Sequence, residues 1–179
     1  MKKSLLCLLL SSVFTTGVAH AIDRSATINI SGAVSAPSQG DCTVLTSQQS
    51  VQLSGTTDHL PQQDKTADHV NSTFVVTVGG DEVCVKKISD HRIAIKFSGT
   101  SDSANGTVLA NTDTSESAAK GVGIGLYTPD GQPLDFKTYQ PEINSAAPIS
   151  LGLKMVQLNG QTPEAGSVQG AMTIEVVRL

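Results

Sequence analysis

The chain has 179 residues, 16 acidic against 12 basic, and only 3% aromatic residues with no tryptophan. It is long enough for one ordinary domain. Its net charge of −4 and its lack of any basic run exclude the electrostatic footprint of a nucleic-acid or anionic-membrane partner.

The first 21 residues read as a targeting segment. Lys2 and Lys3 form a positive start, an apolar run follows from Ser4 through Phe14, and Ala19-His20-Ala21 supplies the small-x-small pattern that a signal peptidase cuts. The run is too short for a membrane span. The mature protein is expected to begin at Ile22, which removes Lys2 and Lys3 and leaves ten basic residues against sixteen acidic ones, a net charge of −6.

Residues 22–34 follow as an extension with strand alternation. Ala26, Ile28, Ile30 and Gly32 share one face, and Thr27, Asn29 and Ser31 the other. An apolar face of this kind needs a groove, either in its own sheet or in another molecule's sheet by β-augmentation.

Next come the two cysteines that survive cleavage, Cys42 and Cys84. An exported protein with an even pair is expected to join them. Closing a loop of about forty residues stabilises by roughly 3–4 kcal/mol in the chain-entropy account.

Short β-branched or alternating runs then recur, predicting strands over 27–34, 43–45, 50–53, 70–78, 92–98, 121–128, 149–158 and 171–179. Gly, Ser, Asn, Asp and Pro clusters separate them, and helical signals are few. Pro129-Asp130-Gly131 is the clearest turn, with Pro presetting one dihedral and Gly free to take positive φ. Regular short strands between such turns predict an all-β sandwich or barrel. In Gly121-Val122-Gly123-Ile124-Gly125-Leu126-Tyr127 the alternating glycines leave one strand face bare, so a backbone or large side chain can approach it. No helix is expected after it, which argues against a phosphate-binding loop.

Catalytic constellations are hard to assemble. Three histidines remain after cleavage, His59, His69 and His91. Asp58-His59 and Asp68-His69 lie in a polar stretch with Gln62, Gln63 and Asp64 that reads as a solvated loop, so no metal site is expected. The serines show no nucleophile-elbow pattern. The reading is a non-enzyme with no cofactor.

The C-terminal strand carries Met172, Ile174 and Val176 on one face, with Val177 and Leu179 on the other. An apolar edge strand without protective charge is an association hazard unless a partner covers it.

Taken together, these features resemble subunits of chaperone–usher fimbriae of the type 1 fimbrial protein family. The residues carrying the resemblance are the extension Ala26 to Val34, the spacing of Cys42 and Cys84, and Phe97-Ser98-Gly99-Thr100. They continue with Val108-Leu109-Ala110, Gly121-Val122-Gly123-Ile124, the Asp130-Gly131 turn, and Gly166, fourteenth from the C-terminus.

The resemblance implies three segments: a signal peptide at 1–21, a donor-strand extension at 22–34, and a pilin domain at 35–179. The pilin domain would be an incomplete immunoglobulin-like sandwich, completed by a donor strand from another subunit. In that scheme Ala26, Ile28, Ile30 and Gly32 form the donor strand. Gly166, Met172, Ile174, Val176, Arg178 and Leu179 belong to the C-terminal strand, where Ile174, Val176 and Arg178 would face a chaperone. The implied partners are a periplasmic pilus chaperone, an outer-membrane usher, neighbouring pilin subunits and, through the assembled fibre, a host-cell surface. The implied route is export through the periplasm of a Gram-negative bacterium to a surface fimbrium.

Three positions depart from the family pattern. Arg178 stands where the family has its penultimate tyrosine, Ala26 where a glycine is common, and Met155 where an aromatic is often found. A minor adaptor or terminator subunit is the nearest alternative role. A sugar-binding tip adhesin is more remote, because it would add a receptor-binding domain for which the sequence is too short.

Overall fold

The structure, a computed structural model, describes residues 42–70 and 72–179, and the backbone of residues 26–31. The expected signal peptide, Ile22, and residues 32–34 of the extension, Gly32 among them, lie outside the described residues.

Alternation of apolar and polar residues produces ten strands among the described residues. The first three are β1 (Ala26–Ser31), β2 (Cys42–Thr46) and β3 (Ser50–Leu53). β4 (Ser72–Gly80) leads into a short helix, α1 (Glu82–Ser89), and then β5 (Ile93–Gly99). After β6 (Leu109–Ala110) come β7 (Val122–Tyr127) and β8 (Pro133–Leu134), and the long strands β9 (Ile149–Gln157) and β10 (Gln169–Arg178) follow. One sheet has the order β3-β1-β10-β5; the other runs β2-β4-β9-β7-β6, with β8 added beside β7.

The core lies between the sheets. Phe74, Val76 and Val78 of β4, Ile124 and Leu126 of β7, and Leu151, Leu153 and Met155 of β9 face Val51 and Leu53 of β3, Ile93, Ile95 and Phe97 of β5, and Met172 and Ile174 of β10. Each such side chain, fully buried, contributes about 1.5–3 kcal/mol. Met155 is buried opposite Ile124.

All six residues of β7 are buried, so this strand is covered on both faces. On its outer face Tyr127 joins a second small cluster with Ala67, Val108, Val156 and Leu158. The Tyr127 ring lies where a side chain on Gly125 would go, 2.7 Å from the place its Cβ would occupy, which is the close approach the glycine alternation predicts.

The stretch containing Gln63 corrects the reading of a solvated loop. Gln63 is completely buried. Its Nε2 donates to Asp102 Oδ2 (3.0 Å) and Thr107 Oγ1 (2.8 Å), and its Oε1 accepts from the Asn159 amide (3.2 Å). Its own backbone N–H donates to the Gln157 carbonyl at 2.8 Å. This polar knot holds the 56–70 loop and the 100–108 loop over β7 and β9.

The helix is absent from the strand-only expectation. Asp81 caps it, accepting from the Cys84 N–H at 3.0 Å, while Glu82 stands in its first turn and Lys86 and Lys87 in its last. Cys84 and Ile88, four residues apart, face the core, and the two turns are tied to β2 through Cys42.

At the free side of β5, three residues close the edge. The Ile95 N–H donates to the Pro141 carbonyl (3.0 Å) and the Ile143 N–H to the Ile93 carbonyl (2.9 Å), with Ala94 and Glu142 paired between them. The Glu142 carboxylate bonds the His91 ring.

A strand slot between β3 and β10

β3 and β10 are not neighbours. They are held one strand apart, and β1 occupies the space between them. Its residues Thr27 to Ser31 pair in parallel with Gln169 to Thr173, so Ile28 lies opposite Gly170 and Ile30 opposite Met172. On the other side Ala26 to Asn29 pair antiparallel with Leu53 to Ser50, which puts Ile28 opposite Val51. Neighbouring strands lie about 4.8 Å apart, so a slot without β1 is roughly 10 Å wide and open to the core. Its inner walls are Val51 and Leu53 on one side and Met172 and Ile174 on the other, all buried.

Gly170 makes the slot floor. A Cβ there would meet Ile124 Cδ1 at 2.6 Å, so Ile124 from the opposite sheet rises into the space that a larger residue on β10 would take.

Burial fades along β10. Met172 and Ile174 lie in the core, Val176 packs against it half-buried, and Arg178 is exposed at the end of the same face. On the opposite face Val177 is half-buried, and Leu179 is 65% exposed with its N–H bonded to the Arg92 carbonyl. The last seven residues of β10, Met172 to Arg178, pair antiparallel with β5.

Gly166 lies just before β10, where the backbone passes against the 117–119 segment. A Cβ on Gly166 would sit 2.4 Å from both the Ala119 nitrogen and the Ser117 oxygen. Asn111, which sequence reasoning missed, organises this entry. Its Nδ2 donates to the carbonyls of Ala119 (2.9 Å) and Ser167 (3.0 Å), and its Oδ1 accepts the Gln169 N–H (2.9 Å). A single Asn inside a turn-rich stretch gives no sequence signal for a contact of this length.

Cys42 and Cys84 form a disulfide, with their Cα atoms 5.1 Å apart. The bridge joins the first residue of β2, a strand of the other sheet, to α1.

The surroundings of Asp102 and Tyr127 shift both groups from their ordinary values. Burial opposes the charge on Asp102, but the N–H groups of Val108, Ala104 and Gly106 and the Gln63 amide outweigh it and hold the carboxyl below its ordinary range. Burial, with the Asp64 carboxylate adding to it, pushes the Tyr127 phenol up to about 12. His59 is exposed and bonds locally with Thr56 and Asp58. Among the described residues no three His, Cys, Asp or Glu side chains converge as metal ligands, and no helix is long and apolar enough to cross a membrane.

The sequence profile of the fimbrial protein family matches residues 28–177, from within β1 to the last residue but one of β10. The protein belongs to the fimbrial protein family. Among solved structures, a Burkholderia pseudomallei antigen and type I fimbria protein is similar over 87% of this chain and 92% of its own, at 15% identity and a TM-score of 0.43. No curated protein sequence gives a match. As a fimbrial protein built from two packed sheets, it is a subunit of a cell-surface fibre that meets other subunits of its kind.

Proposed function

We propose that this fimbrial subunit polymerises by donor-strand exchange, its 22–34 segment entering the slot between β3 and β10 of the next subunit. The observation that carries this reading is the slot itself. It is one strand wide, it opens onto the core, and it is filled by a segment that no hairpin ties to either wall. Ile28 and Ile30 supply the apolar face and Ala26 and Gly32 the small flanking positions. Two buried isoleucines contribute roughly 3–6 kcal/mol, to which the ladder bonds on both sides add.

Before assembly the slot needs another occupant. A periplasmic chaperone strand lying along Ile174, Val176 and Arg178 of β10 suits it, with an outer-membrane usher as the place of exchange. Adhesion to a host surface is then a property of the fibre. The parallel pairing of β1 in its own slot favours a second reading, a subunit that stays closed and ends the fibre.

One experiment separates them. The mature protein and a variant lacking residues 22–34 are melted with and without a synthetic 22–34 peptide. Exchange predicts that the peptide raises the variant's Tm by roughly 10–20 °C. It also predicts that a peptide carrying I28D and I30D has no effect, and that the mature protein slowly takes up labelled peptide. A mature protein that excludes the peptide indefinitely supports the closed subunit. A variant as stable alone as the mature protein overturns both.

A further inference from the structure

Two Asn-Gly pairs occur in the sequence, Asn105-Gly106 and Asn159-Gly160, and the fold treats them oppositely. We propose that Asn159 is a site of spontaneous deamidation, and that the structure shields Asn105 from the same reaction.

The chemistry is general for this dipeptide. The backbone nitrogen of the glycine attacks Cγ of the asparagine, and the bond between Cγ and Nδ2 breaks. Ammonia leaves, carrying the proton released by the glycine amide. Water then opens the resulting succinimide to aspartate or isoaspartate, with no change in oxidation state. Glycine favours the attack because no Cβ screens its nitrogen.

At Asn105 the reacting carboxamide is held. The carboxamide Nδ2 donates to Asp64 Oδ2 at 2.8 Å. Gly106 is buried with its φ at +72°, and the Ala104 N–H on the near side of the pair donates to Asp102 Oδ1 at 2.7 Å. The flanking backbone is pinned by the Asp102 N–H to the Val108 carbonyl (2.9 Å) and the Val108 N–H to Asp102 Oδ2 (3.1 Å). Attack requires the Asn105 carboxamide to leave a charged acceptor, and the loss of such a bond slows a reaction by about tenfold or more.

At Asn159 the groups stand open. Asn159 and Gly160 are both exposed, at a turn closed by the Gln161 N–H on the Leu158 carbonyl (3.1 Å). Nothing lies within 4 Å of where a Gly160 Cβ would be. Among the described residues no hydrogen bond holds the Asn159 carboxamide; only its backbone N–H is engaged, by Gln63. The product carries a new carboxylate and, in the isoaspartyl form, an extra backbone carbon beside the buried Gln63.

The test incubates the folded mature protein at mildly alkaline pH and follows the amide-to-acid mass change at each site by peptide mapping. Asn159 is expected to convert at least about tenfold faster than Asn105, with the two rates converging when the protein is unfolded in denaturant. Asp64→Gly keeps the positive φ of residue 64 and removes the acceptor, so Asn105 should then convert faster. The proposal is overturned if Asn105 keeps pace with Asn159 in the folded protein. It is equally overturned if Asn159 stays intact in the fold while the unfolded protein converts. Should the Asp64 variant fail to fold, the folded-to-unfolded ratio for the unaltered protein decides alone.

Discussion

Asp102 and Gln63 form the one buried polar pair among the described residues, and each satisfies the other. Removing one partner leaves a buried group unpaired, at a cost of about 1–3 kcal/mol. The carboxyl of Asp102 is held below its ordinary value of 3.8 in the folded protein. A depressed folded value means that the contribution to stability is complete above the unfolded value and is lost as pH falls through the folded one. Urea unfolding should therefore show stability falling below about pH 4 in the unaltered protein. In Asp102→Asn that fall should be shallower, on a lower plateau at neutral pH; an unchanged acid slope would remove Asp102 from the account. Neither residue was legible as core. Gln63 lies between Pro61 and Asp64 in a polar run, and only contact with a loop some forty residues away turns it inward.

Strand elements were far more legible than the helix or the knot, because alternation over five to nine residues is a local property that burial on one face enforces. The strands at 50–53, 121–128, 149–158 and 171–179 fall within a residue or two of β3, β7, β9 and β10. Helix α1 escaped because eight residues hold barely two turns of periodicity, and its signals are its ends: Asp81 as cap and basic residues in the last turn. The direction in which β1 pairs was not legible either. Ile28 and Ile30 present the same face whichever way the strand runs, so its partner and sense depend on walls built by distant residues. Gly166 was visible as a motif, and the structure adds its reason, a backbone crossing that leaves no room for Cβ. Gly166→Ala should destabilise by roughly 1–3 kcal/mol, as overpacking does, measured as a lower urea midpoint with an unchanged slope. An alanine variant as stable as the parent would show that the 117–119 segment moves aside freely.

At the scale of the whole molecule the disulfide and the slot divide the work. Cys42 and Cys84 are separated by 42 residues, which enclose β2, β3, β4 and the start of α1. One wall of the slot thus lies inside the covalent loop, while β10, the other wall, lies outside it. Reduction should lower stability by about 3–4 kcal/mol and the Tm by roughly 10 °C, read by calorimetry with and without a thiol. A Tm that reduction does not move would mean that the loop is already fixed by packing. The slot has one further consequence, and it is mechanical. β1 meets five partner positions on β10 and four on β3, with hydrogen bonds running across its length. A pull along the strand loads those bonds side by side in shear rather than opening them one after another, so a joint made this way holds under tension until it yields as a unit.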